Sequence, residues 1–215
     1  MQTVIYKQKY IDSDSLQEIK LFYTKLGDTF SSGPKTSSNK NAPYLGKQGC
    51  WDKPLRLEIS HNPLNKVIDR LKEDFGEFHI HTSSIRYLGY PFTPHSDIRN
   101  NEWLLENKKK YRMGYTMLIP LWWKKDHVAG TAFFDSPPLE DQKLYIQEQQ
   151  HLPRFKDDQQ AKNFGVRKLI RWQSPGDLVA WKNFMFHCSM TGPEEKYDDE
   201  NYTKEFISIE TFFPK

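Results

Sequence analysis

The apolar residues of this chain change period at residue 77, and no other feature restricts the fold as much. Before that point they recur every three or four positions. After it they recur every second position or fall in short runs, over 77–82, 84–90, 113–122, 130–135, 166–173, 178–183 and 203–213. Segments rich in turn formers, such as SPPLED, QSPGD and TGPEE, separate many of these runs. Short strands punctuated in this way close on one another as a sandwich or barrel. The sequence therefore predicts a mainly β core with helices on its N-terminal side.

The helices are legible in their stripes. SDSLQEIKLFYTKLGD puts Leu16, Ile19, Phe22 and Leu26 on one face, with Ser15 and Glu18 spaced as a capping box. In NPLNKVIDRLKEDFG, Asn62 can cap and Pro63 suits the first turn. Leu64, Val67, Ile68, Leu71 and Phe75 form the buried stripe, and Gly76 ends it. Residues 30–54, rich in Ser, Gly, Pro, Asn and Lys, read as a loop, and 136–165 as a polar insertion. The expected organisation is a single domain, with 1–76 as helical support and loop and 77–215 as the core.

Composition narrows the function classes. Lys and Arg exceed Asp and Glu by only 31 to 28, and no long basic stripe appears, which by itself argues neither for nor against a nucleic-acid partner. The Lys108–Lys110 run reads as a solvated face. Two cysteines, Cys50 and Cys188, make no disulfide framework. MQTVIYKQKY lacks the apolar core of a signal peptide, and no run reaches the roughly 20 apolar residues of a membrane span. The expectation is a soluble, cytoplasmic protein with no membrane partner.

The stretch YPFTPHSDI holds His95 and Asp97 two positions apart, so on an extended chain both side chains point the same way. Such a pair is either a polar couple on a surface loop or two legs of a metal site. His187, at the end of the run in GDLVAWKNFMFHCSMTG, can supply a third leg. Two histidines and one carboxylate on one octahedral face leave positions open, as in non-haem Fe(II) oxygenases. A closed zinc site would want four ligands, and Cys188, adjacent to His187, points to the opposite side. His79 and His81 share a strand face but lack a carboxylate placed to join them. His61 and His127 read as loop residues.

Residues 77–213 resemble the Fe(II)/2-oxoglutarate-dependent dioxygenases, nearest in pattern to the prolyl-4-hydroxylase-like branch. The resemblance rests on IRYLGYPFTPHSD, on MGYTMLIPLWW followed by VAGTAFFD, on SPGDLVAWKN leading to His187, and on KEFISIETFF. It implies a double-stranded β-helix (jelly-roll, cupin-like) core. It also implies Fe(II), 2-oxoglutarate and O2, with hydroxylation of an unactivated C–H bond and release of succinate and CO2. The metal ligands would be His95, Asp97 and His187.

In that family a Lys or Arg after the distal His holds the far carboxylate of 2-oxoglutarate. No Arg follows His187, and of Lys196, Lys204 and Lys215 only Lys204 opens a strand, sharing a face with Phe206 and Ser208. Tyr87 matches a tyrosine that hydrogen-bonds the cosubstrate, with Thr116 and Tyr115 as further candidates. Arg86 and Tyr87 face opposite sides of a regular strand, so only one can point at the site. Arg86, Trp122 and Phe184 are candidates for contact with substrate, against a bland reading of Trp122, Trp123, Phe184 and Phe186 as core or rim packing. Asp97 favours hydroxylation, because the halide-transferring relatives carry a small residue there. The implied substrate is a peptidyl proline, another peptidyl residue or a free amino acid. A nucleic-acid-acting oxygenase and a non-catalytic metal-binding jelly-roll module are the alternatives.

Overall fold

A computed structural model describes residues 4–26, 50–88, 96–97, 106–123, 129–134, 159, 165–189 and 204–215. Nine strands and two helices alternate along them: β1 (Val4–Lys7), α1 (Ser13–Leu26), β2 (Cys50–Pro54), α2 (Leu64–Phe75), β3 (His79–Leu88), β4 (Tyr111–Trp123), β5 (Gly130–Phe134), β6 (Val166–Arg171), β7 (Leu178–Lys182), β8 (His187–Ser189) and β9 (Lys204–Pro214). They form a six-stranded sheet, ordered β1-β7-β4-β9-β3-β2, and a three-stranded sheet, ordered β6-β5-β8. Every pairing is antiparallel. This is a double-stranded β-helix, as expected. No helix among the described residues is long and apolar enough to cross a membrane.

Several expectations need correction. The two runs expected over 77–82 and 84–90 fall on one strand, β3 (His79–Leu88), with one extra residue between Ile80 and Thr82, and residues 89–90 lie outside the described residues. Strand β2 lies in the stretch read as a loop, and β1 precedes the first helix unannounced. Helix α1 is capped by Asp12, whose Oδ1 accepts from the Ser15 amide at 2.8 Å, and not by Ser15 itself. The second helix matches its reading. Asn62 Oδ1 accepts from the Leu64 amide, and Gly76, at φ 86°, donates to the Lys72 carbonyl.

The large sheet is covered on both faces. Ile85, Met117, Ile119, Leu121, Leu178, Ala180, Ile207 and Ile209 pack with Leu16 and Ile19 of α1 and Leu64, Val67 and Leu71 of α2. The alternate residues Leu118, Val179, Trp181 and Phe206 pack with Phe133 and Ile170 of the small sheet. Period-two alternation thus sorts each strand into a helix-facing set and an inter-sheet set.

The SPGD turn ties the N-terminus to this core. Asp177 is fully buried, and its carboxylate accepts from the Tyr6 hydroxyl and the amides of Lys9, Gln173 and Ser174 at 2.6–2.9 Å. Burial, with the carboxylate beside it, pushes the Tyr6 hydroxyl up to about 12. Gly176 sits at φ 86°, and a Cβ there would lie 2.3 Å from the Ile11 carbonyl oxygen.

Two bulges in β4 re-aim its side chains. One extra residue lies between Met113 and Thr116, and another between Pro120 and Trp122. In the first, the Thr211 side chain takes over the ladder: Tyr115 N–H donates to Thr211 Oγ1 at 3.0 Å, and Oγ1 donates to the Tyr115 carbonyl at 2.9 Å. Gly114 makes the bulge possible, since a Cβ on it would lie 2.1 Å from the Thr211 carbonyl oxygen. Gly114→Ala should cost about 3 kcal/mol, the upper end for overpacking, because backbone cannot move aside as a side chain can. Denaturant unfolding checks this, and a variant as stable as wild type would mean that the bulge does not depend on that glycine.

Candidate metal centre

His187 opens β8, directly after a tight turn from β7. Met185 N–H donates to the Lys182 carbonyl at 2.8 Å, and Asn183 Nδ2 donates to the Thr211 carbonyl at 3.1 Å, so the turn is fixed at both ends. The imidazole is buried between Trp181, with ring centroids 4.6 Å apart, and Phe133, at 6.4 Å. Its Nδ1 lies 3.0 Å from the Met185 carbonyl oxygen. A carbonyl only accepts, so Nδ1 carries the proton and Nε2 presents its lone pair.

That lone pair meets Asp97. Asp97 Oδ1 is 3.7 Å from His187 Nε2, and both side chains are over nine-tenths buried. The separation is too long for a hydrogen bond. It does suit two donors sharing one ion, each bonded at about 2.0–2.2 Å. The other oxygen, Oδ2, accepts from Thr116 Oγ1 at 2.5 Å, which fixes the carboxylate with Oδ1 towards the imidazole. Ser96 Oγ reaches the Asn183 carbonyl at 3.5 Å, linking the His-x-Asp segment to the β7–β8 turn. His95 lies outside the described residues, and among those described no three ligating side chains cluster. The donors that are described suit a divalent ion with mixed nitrogen and oxygen ligands.

The inter-sheet face of β9 continues the site. Lys204 is only 2 % exposed, and Ser208 is buried two positions on. The register sets Lys204 opposite Leu88 and Trp123, Ser208 opposite Ser84 and Leu118, and Glu210 opposite Thr82 and Thr116. Arg86 is on this face too, 3.8 Å from the Glu210 carboxylate and 3.3 Å from Ser84 Oγ. Of Arg86 and Tyr87, it is therefore the arginine that points inward. Cys188 packs with Ala132, Phe134 and Val166 on the opposite side of β8 from His187. Burial pushes its thiol up to about 12 against the pull of the Lys204 charge, and its side of the strand, not its titration, sets it apart from the His187 imidazole.

Two expected site residues lie on the wrong face. Tyr87 packs in the helix-side core, and with Trp122, Ile19, Tyr23, Lys53 and Glu205 it lines a cavity beneath α1. Its hydroxyl serves Glu205, whose carboxyl burial pushes up while Lys20, Tyr87 and Lys53 pull it down. Trp122 is displaced by the second β4 bulge. A regular strand would have set it opposite Lys204, but the extra residue gives that place to Trp123, which packs between the sheets against Trp172. Tyr115 also packs on the helix side, and Phe184 lies at the edge of the inter-sheet cluster.

Thr116 is brought to the site, but as the partner of Asp97. The sequence reading missed Trp181 and Glu210. Their place on the site face follows from strand alternation with Val179 and Ser208. His79 and His81 pack against the rings of Tyr111 and Phe212, and burial lowers the pKa of His81. His61 packs against Phe22, while His127 lies outside the described residues.

No family model and no curated protein sequence matches the chain. Solved structures do resemble it. A prolyl hydroxylase from Trichoplax adhaerens, in complex with a hypoxia inducible factor oxygen degradation domain peptide fragment, superposes with TM-score 0.54 at 12% identity, over 99% of this chain and 84% of that one. EctD from S. alaskensis, with 2-oxoglutarate and 5-hydroxyectoine, gives 0.51 at 14% identity over 98% and 72%. The non-heme alpha ketoglutarate dependent epimerase SnoN from nogalamycin biosynthesis gives 0.52 at 9% identity over 97% and 76%. At these identities the likeness establishes a shared fold.

Thr116→Val removes the hydroxyl that donates to Asp97 Oδ2 while keeping the side chain's volume. Metal affinity should fall about 10- to 100-fold, the usual cost of losing an outer-shell partner. Competition with a chromophoric chelator for Co(II) measures this, and unchanged affinity would separate Thr116 from the metal centre.

Proposed function

We propose that this chain is an Fe(II)- and 2-oxoglutarate-dependent oxygenase that hydroxylates an unactivated C–H bond, releasing succinate and CO2. The observation that carries the reading is the buried His187 Nε2–Asp97 Oδ1 pair, aimed at one point between the sheets, with the Lys204 ammonium buried on the same face. His95, two residues before Asp97, is the proposed third ligand. When bound, the iron supplies the activation of dioxygen, coupled to oxidative decarboxylation of 2-oxoglutarate.

The chain's own residues do the positioning. Met185 holds the His187 tautomer, and Thr116 holds Asp97. Lys204 offers a compact charge for the far carboxylate of 2-oxoglutarate, with Ser208 on the same face as a hydroxyl donor. With most solvent removed around it, the Lys204 charge acts strongly on a carboxylate that reaches it. Phe133, Trp181 and Phe206 keep water from the reacting space. Arg86 and Glu210 present opposite charges on the substrate side.

The substrate is read as a peptidyl residue or a free amino acid. This agrees with the peptide and the small metabolite named with the resembling structures. No Arg follows His187, and with the modest net charge this counts against a nucleic-acid substrate. A binding module that keeps a metal for structure is the second reading, and the buried Lys204 disfavours it.

Anaerobic loading with Fe(II) and then 2-oxoglutarate should give a visible charge-transfer band, and admission of air should give succinate. Neither signal across a panel of amino acids and proline-containing peptides would sink the oxygenase reading. Lys204→Ala should keep metal binding but weaken 2-oxoglutarate by at least about tenfold, the loss of one charge-assisted contact. Titration of the band reads that change.

A further inference from the structure

A second pocket lies on the opposite face of the large sheet from the metal centre, and none of the roles above uses it. It encloses about 460 Å³ between the end of α2 and strands β4, β7 and β9. Phe75, Tyr115 and Phe213 form its aromatic floor, Met113 stands at its mouth, and Arg112 and Lys182 flank it. That volume is within the range of small-molecule sites, roughly 300–1,000 Å³.

The two cations set its chemistry. Lys182 Nζ lies 3.9 Å from the Tyr115 ring centroid and 5.4 Å from that of Phe213, while Arg112 Cζ lies 5.6 Å from the same Phe213 ring. Two positive groups therefore share the Phe213 ring. Among the described residues no carboxylate pairs with either. Glu77, the only acidic residue of the lining, is engaged at 3.2 Å by Lys72. Ring faces attract cations but leave their charge unneutralised, so each cation raises the cost of the other until an anion arrives. Met113, 44 % exposed beside the aromatic floor, adds apolar surface that a bare inorganic ion would leave uncovered.

We propose that this pocket is a ligand site for a small organic anion with an apolar body, such as an aryl or acyl carboxylate. Its carboxylate would lie between Arg112 and Lys182, and its body would cover Phe213 and Met113. The site is independent of the oxygenase reading and stands or falls apart from it.

Phenylacetate is the probe, with neutral phenylacetamide and inorganic phosphate as controls. Calorimetry on the full chain should show phenylacetate bound, with both controls at least tenfold weaker. Arg112→Gln combined with Lys182→Gln should weaken phenylacetate at least tenfold, and Lys204→Gln should leave it unchanged. Methyl NMR on the wild-type chain should show the Met113 resonance moving on titration, a readout that survives if a variant fails to fold. No binding, phosphate bound as tightly as phenylacetate, loss in Lys204→Gln only, or a Met113 methyl that does not move would each overturn the proposal.

Discussion

Strand β9 is the wall on which both halves of the molecule depend, because successive residues of an extended chain must face opposite sides. Glu205, Ile207 and Ile209 go to the helix layer, while Lys204, Phe206, Ser208 and Glu210 go between the sheets. The strand is central, paired along its length with β3 and β4, so it cannot slip by one residue without exchanging the two sets. Such a slip would move the Lys204 ammonium to the helix side, into the place of Glu205 and beside Lys53 and Lys20. The register is therefore held by the cost of misplacing a charge as well as by the apolar packing on either side.

A regular sheet would not by itself assemble the site, and the β4 bulges supply what regularity lacks. Without the extra residue near Gly114, Thr116 would pair opposite Ile209 and face the helices. With it, Thr116 faces inward and reaches Asp97. Only glycine fits against the Thr211 carbonyl at that point, so the orientation of the Asp97 carboxylate traces back to a missing side chain. The second bulge acts on packing instead, setting Trp123 against Trp172 between the sheets and turning Trp122 towards α1.

These mechanisms explain what could be read from the sequence. The period change at residue 77, the stripe of α2 and the Asn62–Gly76 caps are local patterns, and each appears in the fold. Asp97, His187 and Lys204 were legible because their residue types are unusual at strand ends and recur in a familiar order. Tyr87 and Trp122 misled because the large sheet is covered on both faces. In MGYTMLIPLWW and SIRYLGY both alternate sets carry apolar residues, and alternation with so little polar contrast does not show which face is which. Bulges make this worse, since one extra residue reverses every assignment beyond it. Strand β2 was hidden by a composition typical of loops, and β1 by its length of four residues.

The polar groups between the sheets argue that this interior is kept for chemistry. Apolar residues could fill the same space, and a buried ion pair is seldom more stable than well-packed hydrophobic side chains of similar volume. Yet Lys204, Asp97, His187, Thr116 and Ser208 are all brought to one face of the interior, and the indole Nε1 of Trp181, whose ring is tilted against His187, finds no partner among the described residues. Burying polar groups is costly even where they are paired, and folds retain that cost where function requires it. Asp177 is the contrast: equally buried and charged, it is satisfied by four donors of its own chain and leaves nothing to bind. Asp177 is thus tied into the turn that anchors the N-terminus, whereas Asp97 is held by the Thr116 hydroxyl and lies 3.7 Å from His187 Nε2, between the sheets.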